Sequence, residues 1–143
     1  MKTTYKGWGS MNSKLVRIGT VYIPVQNLTE ATDWYVKQLG ADVSYSDEDK
    51  SILNFANASF FLVKARDGER NFFYDVHEKK RFPITFEVDG LDALIMLQQQ
   101  QKIGGVKVGD VEDRGHAGNN FVFEDLDGNV FDVWSELSRT YVK

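Results

Sequence analysis

FEDLDGNVFDVW, running from Phe123 to Trp134, is the stretch on which the fold assignment turns. It reads as strand, tight turn, strand. Asp127-Gly128 is a strong hairpin signal, and a mirror-image two-residue turn is expected there because Gly adopts positive φ without strain. Beyond the turn, period-two alternation places Val130, Asp132 and Trp134 on one face and Phe131 and Val133 on the other. The Phe131 face is plainly core. A carboxylate in the middle of the opposite face therefore either looks into a wet cavity or is paired inside the fold.

The bulk properties narrow the classes. A chain of 143 residues suits one domain, or two small modules sharing a core, and should bury roughly two thirds of its unfolded surface. A hydrophobic fraction of 42% with 13% aromatics is that of a globular protein. The net charge of −4 leaves no basic footprint, so nucleic acid is not an expected partner. With no cysteine, disulfides, thiolate nucleophiles and thiolate metal ligands are all excluded. The opening segment MKTTYKGWGSMNS, residues 1–13, holds no apolar run fit for a signal peptide or membrane span, and reads as an irregular arm with Met11 as an alternative start. A cytoplasmic protein without membrane partners is expected.

Periodicity begins at Leu15. LVRIGTVYIPV alternates, with Gly19, Val21, Ile23 and Val25 on one face and Thr20 and Tyr22 on the other. Asn27 and Glu30 resemble a capping box, Leu28, Ala31, Tyr35 and Leu39 make a helical stripe, and Gly40 stops it. ADVSYS, KSILNFA and ASFFLVKA follow as three short strands. This first βαβββ module is assigned to residues 14–66. A charged connector at 67–80 contains Phe72, Phe73 and Tyr74, which most simply cover the edge of the core.

The pattern then recurs over residues 81–137, leaving a tail at 138–143. RFPITFEV is a strand, DGLDALIMLQQQQ a helix capped by Asp89, and VKVGDVED, NNFVFED and the closing FDVW segment are strands. Gln98 to Gln101 read as a solvated helix end. VYIPVQNL from Val21 overlays ITFEVDGL from Ile84, and FFLV from Phe60 overlays FDVW from Phe131, an internal duplication of about 63 residues. The fold class expected is α+β: two tandem βαβββ modules forming a curved mixed sheet, with helices outside and a concave ligand cavity. Whether the modules close that cavity within one chain or across a dimer is left open, since both use the same repeat.

Two segments, TDWYVKQLG and EDLDGNVFDV, resemble the FY…LG helix end and DPDGN…E strand of the vicinal oxygen chelate superfamily, which holds glyoxalases, bleomycin-resistance proteins and extradiol dioxygenases. The likeness covers roughly Leu15 to Leu137. It implies homodimers and, in the family's enzymes, a divalent ion that stabilises negative charge on vicinal substrate oxygens. The family's His or Glu ligands lie on the first and last strands of each module. The corresponding positions here are Thr20, Phe61, Pro83 and Asp132, of which Asp132 alone ligates strongly, whereas catalytic metals generally want three protein ligands. No metal or other cofactor is expected.

Only two histidines exist. For His77, in the connector, a surface position is the default. His116 lies in the Gly-flanked loop DRGHAGNN, which such flanks allow to fold across a cavity mouth. With Asp132 it forms the candidate catalytic pair, a base and its orienter; the plainer reading is that Arg114, His116 and Asn119 tie down the loop. Asp132 meets a ligand at the cavity floor, or else pairs with Arg17, Arg81 or Tyr22. The ligand-binding set is Thr20, Tyr22, Phe61, His116, Asp132 and Trp134, an aromatic wall with one acid and a few hydroxyls, suited to a flat, partly apolar, cationic molecule. Two functions follow. The first is a metal-independent small-molecule-binding homodimer of the bleomycin-resistance type. The alternative is a lyase or isomerase of a small carbonyl or diol substrate, using Asp132 and His116 with or without a divalent metal. A filled-in regulatory domain is a third.

Overall fold

The computed structural model describes residues 13–138. Nearly all of the expected N-terminal arm, and the tail beyond residue 138, lie outside the described residues. The chain is α+β, built as two βαβββ modules. The first comprises β1 (Thr20–Val25), α1 (Leu28–Leu39), β2 (Asp42–Ser46), β3 (Lys50–Phe55) and β4 (Ala58–Lys64). A hairpin of β5 (Phe73–Tyr74) and β6 (Lys80–Arg81) occupies the connector. The second module is β7 (Thr85–Glu87), α2 (Leu91–Ile103), β8 (Lys107–Val108), β9 (Asn120–Glu124) and β10 (Val130–Trp134). Each module forms a four-stranded sheet of the same order, β1-β4-β3-β2 and β7-β10-β9-β8. The crossover pairs β1·β4 and β7·β10 are parallel and the hairpin pairs antiparallel.

Local chemistry explains the element ends. The Asn27 side chain accepts from the Glu30 N–H at 3.0 Å, and Gly40 closes α1 at φ 68°, where a side chain would be strained. α2 begins differently from expectation: the N-cap position is held by Gly90, at φ 104°, one residue beyond Asp89. The expected two-residue turn at Asp127-Gly128 is also replaced. The β9–β10 connection is a five-residue loop in which the Asp125 carboxylate accepts the backbone N–H groups of Asp127 and Asn129 at 2.8 and 2.9 Å. That Asx-type arrangement is more favourable than a tight turn because Asp125 begins the loop. Gly128 still supplies its positive φ, 82°, and the two-residue mirror turn occurs instead at Ala56-Asn57, with φ 49° and 58°.

α1 lies on the sheet face bearing Ile23, Leu53, Phe60 and Leu62, all buried, and the second module buries Leu94, Phe121, Phe131 and Val133. These belong to one core. Phe86 stands 5.8 and 5.9 Å from Phe55 and Phe60, and Tyr35 meets Phe131 edge-on at 6.4 Å, so the two helix-bearing faces pack against each other. The opposite faces of both sheets, including the 66%-exposed Tyr22, therefore turn outward. Among the described residues, the modules do not close a concave cavity lined by these outward faces.

The glutamine run is solvated only at Gln99 and Gln100. Gln98 and Gln101 are buried, and Gln98 Nε2 donates to Gly109 O at 2.9 Å. In the connector, by contrast, Phe73 and Tyr74 are exposed rather than covering the core.

One polar link crosses the shared core. Tyr35 Oη donates to Asp125 Oδ2 at 2.5 Å, while Asn129 Nδ2 donates to the same oxygen at 2.8 Å and to Pro24 O at 2.8 Å. Burial, then the neighbouring Asp125, raises the Tyr35 pKa well above its ordinary value, so the hydroxyl stays a donor. Burial also raises the Asp125 carboxyl, against the opposing pull of its hydrogen bonds. The folded chain thus holds the Asp125 proton more tightly than the unfolded one, so the stability this group contributes is fully present below the unfolded value of 3.8 and is lost as pH rises through the folded one. Urea unfolding between about pH 4 and pH 7 should show wild type losing stability relative to Asp125→Asn as pH rises. Tyr35→Phe should cost about 1.5–3 kcal/mol at neutral pH.

Candidate functional site

Asp132 lies on the outward face of the second module, yet it is only 3% exposed. Its register partners are Thr85 on β7 and Val122 on β9. Thr85 Oγ1 donates to Asp132 Oδ2 at 3.0 Å and Asn120 Nδ2 donates to the same oxygen at 2.9 Å. Arg114 Nη2 sits 3.1 Å from the other oxygen, Oδ1, and donates to Glu112 Oε2 at 2.7 Å. Burial lowers the guanidinium pKa, but Glu112 and Asp132 more than offset it, so the pKa is raised and the charge is secure. The partner of the buried carboxylate is thus Arg114, not Arg17, Arg81 or Tyr22.

What buries Asp132 is the loop from Gly109 to Asn119. Gln98 anchors its start through Gly109 O. At its end, Asn119 N donates to Ser135 Oγ at 2.8 Å, Ser135 N returns a bond to Asn119 O at 3.0 Å, and Trp134 Nε1 donates to Ala117 O at 2.9 Å. His116 lies on this loop, exposed, its ring edge-on to Trp134 at 6.1 Å. Its Nδ1 is 2.8 Å from Ala117 O, a carbonyl that can only accept, so Nδ1 carries the proton. The structure therefore brings His116, Trp134 and Asp132 to one face, with the His116 hydrogen bond going to the backbone and the Asp132 carboxylate engaged by three other residues.

Thr20, Tyr22 and Phe61 assemble on the outward face of the first module. Tyr22 and Phe61 are register partners with ring centroids 5.2 Å apart, and Ile52 continues the apolar patch opposite Phe61. Because the modules adhere through their helix-bearing faces, this patch and the Asp132 face look away from each other in a single chain. Two clefts follow the seam instead. A groove of about 720 Å³ separates the edge strands β1 and β7, and a cleft of about 420 Å³ lies between Phe55, Phe86, Leu97 and Gln101. Neither is lined by Asp132 or Phe61.

Sequence reasoning missed Thr85, Asn120 and the part Arg114 plays beside Asp132. The parallel register puts Thr85 beside Asp132, two positions beyond the Pro83 chosen from the family pattern. Asn120 was discoverable, since it lies two residues before Val122, the cross-strand neighbour of Asp132.

The donor set does not fit the metal that the resemblance implies. Asp132 is engaged by an arginine, its neighbours are Thr85 and Asn120, and Tyr22 and Phe61 hold the matching place in the other module. Among the described residues no group of three or more His, Cys, Asp or Glu is arranged to hold a metal ion. Nor is any described helix long and apolar enough to cross a membrane.

This architecture is that of a known superfamily. A model of the Glyoxalase/Bleomycin resistance protein/Dioxygenase superfamily matches residues 17–133, and the chain belongs to it. Lactoylglutathione lyase from Agrobacterium tumefaciens is similar in structure, with a TM-score of 0.67 and 11% identity over 85% of this chain and 95% of that one. The fosfomycin resistance protein FosX from Listeria monocytogenes superposes with a TM-score of 0.66 and 19% identity over 92% and 100% of the two chains. TnmS3, an antibiotic binding protein from Streptomyces sp. CB03234, gives 0.64 and 19% over 86% and 98%. At such identities these likenesses establish the fold. No curated protein matches the sequence significantly.

Gly118 tests how the loop is held. It has φ 75°, and an added Cβ would come within 2.6–2.8 Å of Glu136, Trp134 Nε1 and Ser135 Oγ. Gly118→Ala should therefore release the loop without disturbing the core. Hydrogen exchange of amides 112–117 should accelerate by about ten-fold or more, with exchange in β9 and β10 unchanged.

Proposed function

We propose that the chain is a metal-independent, small-molecule-binding member of its superfamily, working as a cytoplasmic homodimer. The site would join the Thr20, Tyr22 and Phe61 face of one protomer to the His116, Asp132 and Trp134 face of its partner. The observation that carries this reading is the state of Asp132. Its carboxylate is buried, accepts from Thr85 and Asn120, and is neutralised by Arg114. A general base must reach the proton it takes, and a metal ion at this carboxylate would have to displace the Arg114 cation. As held here, Asp132 is suited to fixing charge and shape rather than to moving protons. The open aromatic patch around Tyr22 supports the dimer, because an exposed apolar face this close to a sheet edge is the kind of surface that association covers. An antibiotic-binding relative in the same fold suits the binding reading, and lyase and resistance relatives make turnover the outcome to test against.

Light scattering should give a mass twice the 16.3 kDa of the chain, and Tyr22→Asp, at an exposed position, should shift the equilibrium to monomer while leaving the circular dichroism unchanged. Untagged protein purified without chelator should carry far less than about one divalent ion per chain and gain no thermal stability from zinc, nickel, manganese or iron. Planar aromatic compounds should bind saturably and perturb Trp134. Stoichiometric metal, or turnover abolished by Asp132→Asn in a folded protein, would replace this reading with an enzymatic one.

A further inference from the structure

The Asp132 face carries an unfinished set of hydrogen bonds. Asp132 Oδ2 has two donors, from Thr85 and Asn120, but Asp132 Oδ1 is sealed from solvent and receives no well-formed hydrogen bond. Arg114 Nη2 supplies charge to it from 3.1 Å while directing its aligned N–H groups to Glu112 Oε2, at 2.7 and 3.1 Å. Asn120 Oδ1 is likewise buried without a donor, on the same amide whose Nδ2 holds Asp132. Both residues are only 3% exposed. Two buried acceptors on hydrogen-bonded residues thus lack an aligned donor, Asp132 Oδ1 having only the off-line Arg114 Nη2, an arrangement that native proteins rarely leave unfilled. The cation facing Asp132 Oδ1 belongs to a side chain that is 30% exposed, on the loop that covers the site.

We propose that Asp132 Oδ1 and Asn120 Oδ1 form a recognition socket for a planar organic cation with two or more N–H donors, an amidinium or guanidinium, and that Arg114 is a latch holding the socket until such a ligand displaces it. The proposal rests on the small-molecule reading above and names the ligand class for that site. A planar N–H fork matches paired oxygen acceptors in a way that a point-charge ammonium does not. Trp134 shares the face with Asp132 and adds a ring on which a flat cation can stack, with His116 at its edge. Thr85 and Asn120 fix the carboxylate so that Oδ1 stays turned toward the latch. Replacing Arg114 by a ligand exchanges one guanidinium-like group for another, so the carboxylate is never left buried without a counter-charge.

Calorimetric titration of the full chain with benzamidine, benzamide and benzoate tests this, followed by NMR of the Trp134 indole N–H. Benzamidine should bind at least about ten-fold more tightly than benzamide, and benzoate should not bind. Arg114→Ala, which empties the socket, should tighten benzamidine by about ten-fold. Lys37→Ala, the same change in net charge on α1, should leave affinity unchanged. In Arg114→Ala, millimolar methylguanidinium should raise the melting temperature, a rescue that sodium chloride does not reproduce. This last measurement keeps the idea testable should Asp132→Asn fail to fold; where that variant folds, it should lose benzamidine binding. Equal affinity for benzamidine and benzamide overturns the cation socket and leaves the small-molecule reading standing. No benzamidine binding to either wild type or Arg114→Ala, or weaker binding to the latter, overturns it as well.

Discussion

The two modules hold together because their helix-bearing faces share one aromatic core, and the polar closure of that core is the Tyr35–Asp125 hydrogen bond. Asp125 could not sit at 7% exposure without donors, and it has four, from Tyr35, the Asn129 side chain and the backbone N–H groups of Asp127 and Asn129. The same carboxylate therefore shapes the β9–β10 loop and receives the helix of the other module. Asn129 extends the link to the carbonyl of Pro24 on β1. Turn, helix and edge strand are set by one buried group, and the direction in which each sheet presents its other face follows from it.

The internal repeat is close to symmetric in backbone and broken in side chains, and the break has consequences. An offset of about 63 residues sets Tyr35 against Gln98 and Gln38 against Gln101. Tyr35 reaches across to Asp125, filling its half of the seam. Gln98 instead reaches to Gly109 O, and a cleft of about 420 Å³ remains beside Gln101. The cost to packing is matched by a positional gain, since Gly109 opens the loop that covers Asp132. A side chain that reads as solvated in sequence is in fact the anchor of the loop over Asp132.

Much of the fold was legible because alternation, caps and the repeat all point the same way. The Asn27 cap, the Gly40 stop and the outward placement of Asp132 follow from local chemistry alone. The site was legible only in part. Tyr22 and Phe61 do meet, and Trp134 and His116 do stand together, because alternation on adjacent strands places them. Three things escaped. The turn at Asp125 competes with the Asp127-Gly128 signal through a side-chain hydrogen bond that no dipeptide rule contains. The burial of Gln98 and Gln101 depends on what the other module lays over α2. The pairing of Arg114 with Asp132 depends on the path of a loop with no periodicity at all. Each is a tertiary choice among locally equivalent options.

Asp132 also shows how a fold can keep a charged position while changing what meets it. A carboxylate buried in a strand needs a counter-charge, and the family resemblance implies a divalent ion at such positions. Here a guanidinium takes that part, with a threonine and an asparagine donating to the other carboxylate oxygen. The exchange satisfies the same electrostatic demand but alters the chemistry available. A metal polarises a substrate oxygen; a hydrogen-bonded carboxylate beside a displaceable cation selects among cations. Stability asks only that some cation occupy the place, so function is decided by whether that cation belongs to the chain or to its ligand.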